Sequence, residues 1–303
     1  MQSWLSRGAA VAGAILLLAG CGGSHDPMDF LPESPAYVAF NAEQIRSSAG
    51  GKQMLEAAKK YQPESAELLQ SRLKRVYLGV EPSARGKGGC GVAIGDAGFG
   101  DYAMGEFGKH GATEQKVSGR KVLTSGTMSM SKAGDDGIVL FSRPEDLDKM
   151  VRTSEKKNPS ARQSATFKLA DTIAGSHGIV MATDWSQVLG MIGGQLDRVA
   201  VMNPKGVEAL KQVRTATATM DWNEEPVIEA ILHLPGAEGR DDLASLVNMA
   251  LGFTKTMRPK GGDAGPMGML NDLKATTVED GVSVKLVIPK EKVEAFMAKA
   301  GGK

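Results

Sequence analysis

The feature that most restricts this chain is an order of elements written twice. Residues 128–132, the turn Gly134-Asp135-Asp136-Gly137 and residues 138–141 read as a β-hairpin. Residues 276–278, the turn Glu279-Asp280-Gly281 and residues 282–288 read as another, with Val282, Val284, Leu286 and Ile288 on one face. A helical pattern follows each. Ser142-Arg143-Pro144-Glu145 has capping-box spacing and places Leu147, Met150 and Val151 on one face. Pro289 to Val293 leads into Phe296 and Met297 on the same kind of face. The turn glycines Gly137 and Gly281 stand 144 positions apart, and the strands that open the two halves are separated by a similar interval.

Those openings are Tyr37-Val38-Ala39-Phe40, leading to helical residues 42–60 and 63–73, and Gly178-Ile179-Val180-Met181-Ala182, leading to a helix over 185–201. Each half then offers two strand-like runs, 76–80 with 90–95 and 213–220 with 227–234. Leu243, Leu246, Val247, Ala250 and Leu251 recur at i, i+3, i+4, i+7 and i+8, with Asp241 and Asp242 in front and Lys255 and Arg258 behind. That pattern predicts an amphipathic helix whose end charges suit its dipole. Its counterpart around 101–110 carries Gly105 and Gly108 and is expected to be degenerate.

Short turns imply antiparallel pairing, and helices between hairpins must cover a sheet face. The expected fold is therefore α+β: two similar lobes from an internal duplication, each an antiparallel sheet covered by helices. The expected units are residues 36–152 and 167–303, joined by the polar stretch 153–166 with its Pro159.

Composition excludes several classes. The chain has 303 residues, and 36 Lys+Arg against 35 Asp+Glu leave no electrostatic footprint for nucleic acid. Two cysteines cannot make a disulfide scaffold, and 38 glycines without a period do not make collagen. Cys90 has no cysteine partner left once Cys21 is modified, and is expected to be a small buried strand residue.

The first residues carry an address. Arg7 precedes an apolar run from Gly8 to Ala19, too short to span a bilayer, and the run ends at Leu18-Ala19-Gly20-Cys21. This resembles the lipobox of bacterial lipoproteins. The resemblance implies removal of residues 1–20 by cleavage between Gly20 and Cys21, and acylation of Cys21 as the membrane anchor. Two or three acyl chains hold a protein durably where one does not. Gly22, in place of the Asp that retains lipoproteins at the inner membrane, favours an outer-membrane destination in the cell envelope. Residues 21–35 would form a short tether. The body itself more distantly resembles duplicated bacterial lipoprotein and surface-protein families that lend no activity.

Catalytic spacing is scarce. His25, His110, His177 and His233 have no second ligand at metal-binding spacing, and only Glu229 shares a strand face with His233. Ser-x-x-Lys occurs four times, at Ser71, Ser118, Ser129 and Ser154, without Ser-Asp-Asn or Lys-Thr-Gly. The loop from Arg85 to Gly91 links two strands and lacks the phosphate-loop order, and the acidic turns lack a calcium loop. No catalytic, cofactor or metal residue is therefore expected. Sixteen methionines suit core filling or an adaptable apolar surface. The expected function is a non-enzymatic interaction or scaffold protein with an envelope protein partner. Its alternatives are a module for a lipid or apolar ligand held between helices and sheet, and an enzyme with dispersed site residues, which a cleft joining His177 or His233 to carboxylates would favour.

Overall fold

The computed structural model describes residues 26–61, 70, 72–80, 89–109, 111–256 and 273–293. Cys21, His25, His110, the loop 81–88, the helical reading of 63–69 and the closing helix beyond Val293 lie outside the described residues.

Twelve antiparallel strands form one sheet: β1 (Ala36–Asn41), β2 (Leu73–Val80), β3 (Cys90–Gly95), β4 (Thr113–Val117), β5 (Arg120–Ser125), β6 (Met128–Lys132), β7 (Gly137–Phe141), β8 (Ile179–Asp184), β9 (Thr215–Asp221), β10 (Val227–His233), β11 (Ala275–Val278) and β12 (Gly281–Val287). Their spatial order is β11-β12-β10-β9-β8-β1-β2-β3-β7-β6-β5-β4. Read outward from the centre, β1-β2-β3-β7-β6 and β8-β9-β10-β12-β11 repeat one order, so the fold is α+β with two similar lobes. The lobes do not keep separate sheets. β1 pairs with β8 antiparallel, Ala36 opposite Thr183 and Phe40 opposite Ile179, which merges both sheets edge to edge.

The helices occupy corresponding places. After β1 come α1 (Ala42–Ser47) and α2 (Ala49–Tyr61), and after β8 come α6 (Trp185–Ala200) and α7 (Pro204–Gln212). Asn41 ends β1 and caps α1 by accepting from Gln44 N, while Asp184 ends β8 and caps α6 by accepting from Ser186 N. Between the inner strands and the closing hairpin, the first lobe has α3 (Phe99–Lys109) and the second has α8 (Arg240–Thr256).

α3 corrects the expectation of a degenerate helix. It runs eleven residues and buries Phe99, Gly100, Ala103 and Met104. Gly100 is required there, because a Cβ would sit 2.9 Å from the Gly137 carbonyl oxygen. α4 (Pro144–Ser154) follows the first hairpin as expected, but Arg143, not Ser142, takes the cap position. Its guanidinium instead bonds the first-turn carboxylate of Asp146, Nη2 to Oδ1 at 2.8 Å.

The stretch 153–166 belongs to the folded body. α4 includes Thr153 and Ser154, Ala161 N donates to Leu31 O at 2.8 Å, and Glu33 N donates to Pro159 O at 3.1 Å. Ser164 then caps α5 (Ala165–Ala174). α5 lies across the β1–β8 junction, where Phe167 meets Tyr37 edge-on with ring centroids 5.2 Å apart. Phe167, Ala170, Tyr37, Ala39, Val180 and Ala182 share the largest core cluster, with Leu147 and Met150 of α4. Cys90, buried as expected, joins it.

Phe167→Ala should therefore cost about 3–5 kcal/mol, the range for truncating a buried aromatic. Met191→Ala, at a site 52% exposed, should cost under about 0.5 kcal/mol. Urea unfolding of the two variants checks both values.

Candidate functional site

Strand periodicity divides the sheet into two unlike faces. One carries Tyr37, Ala39, Tyr77, Val92, Val139, Val180 and Ala182 and is packed by α4 and α5. The other carries Ala36, Val38 and Phe40 of β1, in register with Val80, Leu78 and Val76 of β2 and with Thr183, Met181 and Ile179 of β8. The register continues outward through Ala218 and Met220 to Ile228, Ala230 and Leu286.

Among the described residues, the core clusters on this second face lie at its two ends. α3 packs at one end of the first lobe on Val76, Ala93 and Ile138. α7 and α8 pack at the opposite end of the second lobe on Leu232, Val282 and Val284. Between them lies an apolar strip. Val38, Phe40, Leu78, Ile179, Met220, Ile228 and Leu286 are half-buried, Met181 is 42% exposed, and none of them belongs to a core cluster of the described residues. Six strands at about 4.8 Å spacing make the strip roughly 25 Å wide. Scattered apolar side chains are ordinary on a surface, whereas a row across six strands makes this strip a candidate binding surface.

The packed face carries polar groups at corresponding ends of the lobes. In the first lobe, an open cleft of about 730 Å³ is lined by Lys74, Arg75, Arg162 and Lys168, by Glu43 and Asp171, and by Met28, Tyr77, Ile94 and Phe167. Asp171 of α5 accepts from Tyr77 Oη and from Arg75 Nη1, the latter at 3.1 Å, and Arg75 also donates to Tyr77 Oη at 3.0 Å. Burial, helped by the bond to Asp171, pushes the Tyr77 phenol up to about 12.

In the second lobe, Arg214, Thr215, His233, Arg240, Glu279 and Asp280 line a cleft of about 410 Å³. Register makes Thr215 and His233 the counterparts of Arg75 and Ile94, since each pair lies opposite the other across neighbouring strands. His233 Nε2 lies 2.8 Å from Thr217 Oγ1, and burial pushes the imidazole below its ordinary 6.5. His233 thus shares a cleft with two carboxylates, the arrangement that favours an enzyme. The hydroxyl it bonds, however, belongs to Thr217, which is only 4% exposed. Glu229, expected beside His233, bonds Ser283 Oγ at 2.6 Å instead. His177 lies apart, with Nδ1 2.8 Å from Asp221 Oδ2.

Sequence reading missed both clefts and the apolar strip. Of the polar cleft residues it singled out only His233 and the turn formers Glu279 and Asp280, because the cations of the first cleft come from β2, α5 and the turn before it, a grouping that no local spacing displays. The strip was concealed differently. Alternation announces a buried face, and nothing in a strand sequence tells whether a helix will cover it.

No family model and no curated protein matches the chain. Solved structures do. Crystal form III of TP0453 is 12% identical with a TM-score of 0.50, matching 90% of this chain and 98% of that one. Crystal form I is 13% identical with a TM-score of 0.49, matching 93% of this chain and all of that one. At this identity the likeness to form III supports the overall fold and nothing finer.

Tyr77 yields a pH test. Its folded pKa lies above the unfolded value of 10.0, so the neutral phenol contributes stability that is present below pH 10 and is lost as pH rises towards 12. Tyr77→Phe should flatten the fall in stability across that window, as measured by denaturant unfolding at stepped alkaline pH.

Proposed function

We propose that this protein is a lipid-anchored envelope protein that holds the acyl part of a lipid on the apolar face of its sheet and catalyses no reaction. The observation carrying this reading is the apolar strip across β12, β10, β9, β8, β1 and β2, whose side chains lie outside every described core cluster. One leaflet contributes about half of the roughly 30 Å hydrocarbon core of a bilayer, so an acyl chain spans about 15 Å. A strip about 25 Å wide accommodates it lengthwise. Each methylene covered contributes about 0.8 kcal/mol, and thioether side chains such as Met181 and Met220 adapt to a chain that has no fixed shape.

The lipobox motif ending at Cys21 supports a membrane address, and Gly22 supports the outer membrane as its destination. An anchored body meets lipid at high effective concentration, which favours a lipid occupant over a diffusing one. A protein partner seated on the same strip is the competing outcome, and it would restore the scaffold reading.

Two measurements test this. Cys21→Ser should abolish acyl labelling and release the protein from membranes; labelling that persists contradicts the anchor. Native mass spectrometry of the purified Cys21→Ser protein should show a co-purifying lipid. Met181→Asp should reduce its occupancy at least tenfold without altering the unfolding midpoint by more than a small amount. A protein that never carries lipid, or carries it equally after Met181→Asp, contradicts the strip as the site.

A further inference from the structure

The first-lobe cleft lies on the opposite face from the apolar strip, and its position relative to the chain's beginning gives it a separate meaning. Asp26 Oδ1 accepts from Met28 N, opening the single helical turn Pro27–Phe30, whose Pro27, Met28 and Phe30 are buried. Arg162 holds the carboxylate of Asp26 and also lies 3.8 Å from Asp29. The chain is therefore fixed to the body at Asp26, and Arg162 and Met28 both line the cleft. Cys21 stands five positions earlier. Five residues span at most about 18 Å, so a lipid at Cys21 would keep the cleft mouth within reach of the headgroup layer.

The lining is suited to that layer. Four cations and two carboxylates line the cleft, and Asp96, Asp26 and Asp29 reach two of those cations from its border. Three of the cations are oriented by carboxylates: Lys74 by Asp96 at 2.7 Å, Arg75 by Asp171, and Arg162 by Asp26. The ammonium of Lys168 has no ion pair among the described residues and lines the same cleft one turn of α5 from Asp171. A guanidinium has five N–H donors, more than the contacts to Asp171 and Tyr77 at Arg75 or to Asp26 and Asp29 at Arg162 use, and a phosphate group offers acceptors for the rest. Met28, Ile94 and Phe167 supply an apolar wall beside these donors.

We infer that this cleft binds an anionic phosphate ester through Lys168, Arg75 and Arg162. The site is defined by the chemistry of the phosphate, which a membrane phospholipid or a free phosphate compound could present. The membrane source rests on the anchor at Cys21; the phosphate site itself does not.

The test uses full-length Cys21→Ser protein, so that no anchor contributes, with vesicles of phosphatidylcholine with and without phosphatidylglycerol, and separately with inorganic phosphate. Saturable shifts of the Arg75 and Lys168 side-chain NMR signals with phosphate are expected. Preference for phosphatidylglycerol vesicles should fall about fivefold in Lys168→Ala, as expected from about 1 kcal/mol per basic residue at an anionic surface. Lys168→Arg should retain it, and Lys205→Ala, an exposed lysine on α7, should leave it unchanged. Phosphate shifts without vesicle preference keep the site and assign it a free phosphate compound. No saturable shift, or an equal loss in Lys205→Ala, overturns the site. The mass of the lipidated wild-type chain reports separately on the anchor, so its failure is distinguishable from failure of the cleft.

Discussion

The antiparallel pairing of β1 with β8 is the contact on which the rest of the molecule depends. Without it each lobe would end in a bare edge strand, and an exposed edge is a template for uncontrolled pairing. With it, two sheets become one of twelve strands, and the outermost strands are the short β11 and the charge-bearing β4, whose Glu114 and Lys116 discourage further addition. The junction is sealed on one face by α5, where Ala39, Ala170, Val180 and Ala182 are fully buried at close range. Small side chains let helix and sheet approach, and Phe167, Tyr37 and Tyr77 fill the space around them.

On the opposite face an apolar strip stays outside the core clusters of the described residues. α5 is inserted once, between the lobes, and covers only the side it lies on. The helices that follow β1 and β8 leave the strands at opposite ends of the sheet, because the two strands run antiparallel. The clusters built by α3 and by α7 with α8 lie towards opposite corners of that face, and the strip between them belongs to no core cluster of the described residues. The strip lies on the face opposite α5. Its functional reading follows from apolar chemistry alone: a row of Val, Phe, Leu, Ile and Met offers no hydrogen bond to fix a polar ligand and considerable area to a hydrocarbon one.

Much of the architecture was legible in the sequence because local signals carried it. Asp135-Asp136-Gly137 and Glu279-Asp280-Gly281 announced their hairpins through turn chemistry, and the periodicity of Leu243, Leu246 and Val247 announced α8. Other elements gave weaker signals. The β4–β5 hairpin turns at Ser118 and Gly119, both at positive φ as a two-residue turn requires, but its strands Thr113–Val117 and Arg120–Ser125 are too polar for alternation to stand out. α5 was hidden behind the polar run before it, although Ser164 is a regular cap. The merging of the sheets could not be read at all, since whether two edges pair depends on shape across the whole lobe. The candidate sites share that difficulty: Arg75, Tyr77 and Asp171 meet across a sequence separation of nearly a hundred residues.

The central claim, that hydrocarbon occupies the apolar strip of the sheet, is tested most directly by photocrosslinking. A phospholipid with a photoactivatable acyl chain would be incubated with the protein, and the modified residues mapped by peptide mass spectrometry. The account predicts adducts on Val38, Leu78, Met181 and Met220. Adducts confined to other surfaces, or labelling of these four residues no greater than that of exposed helical positions such as Met191, would contradict it.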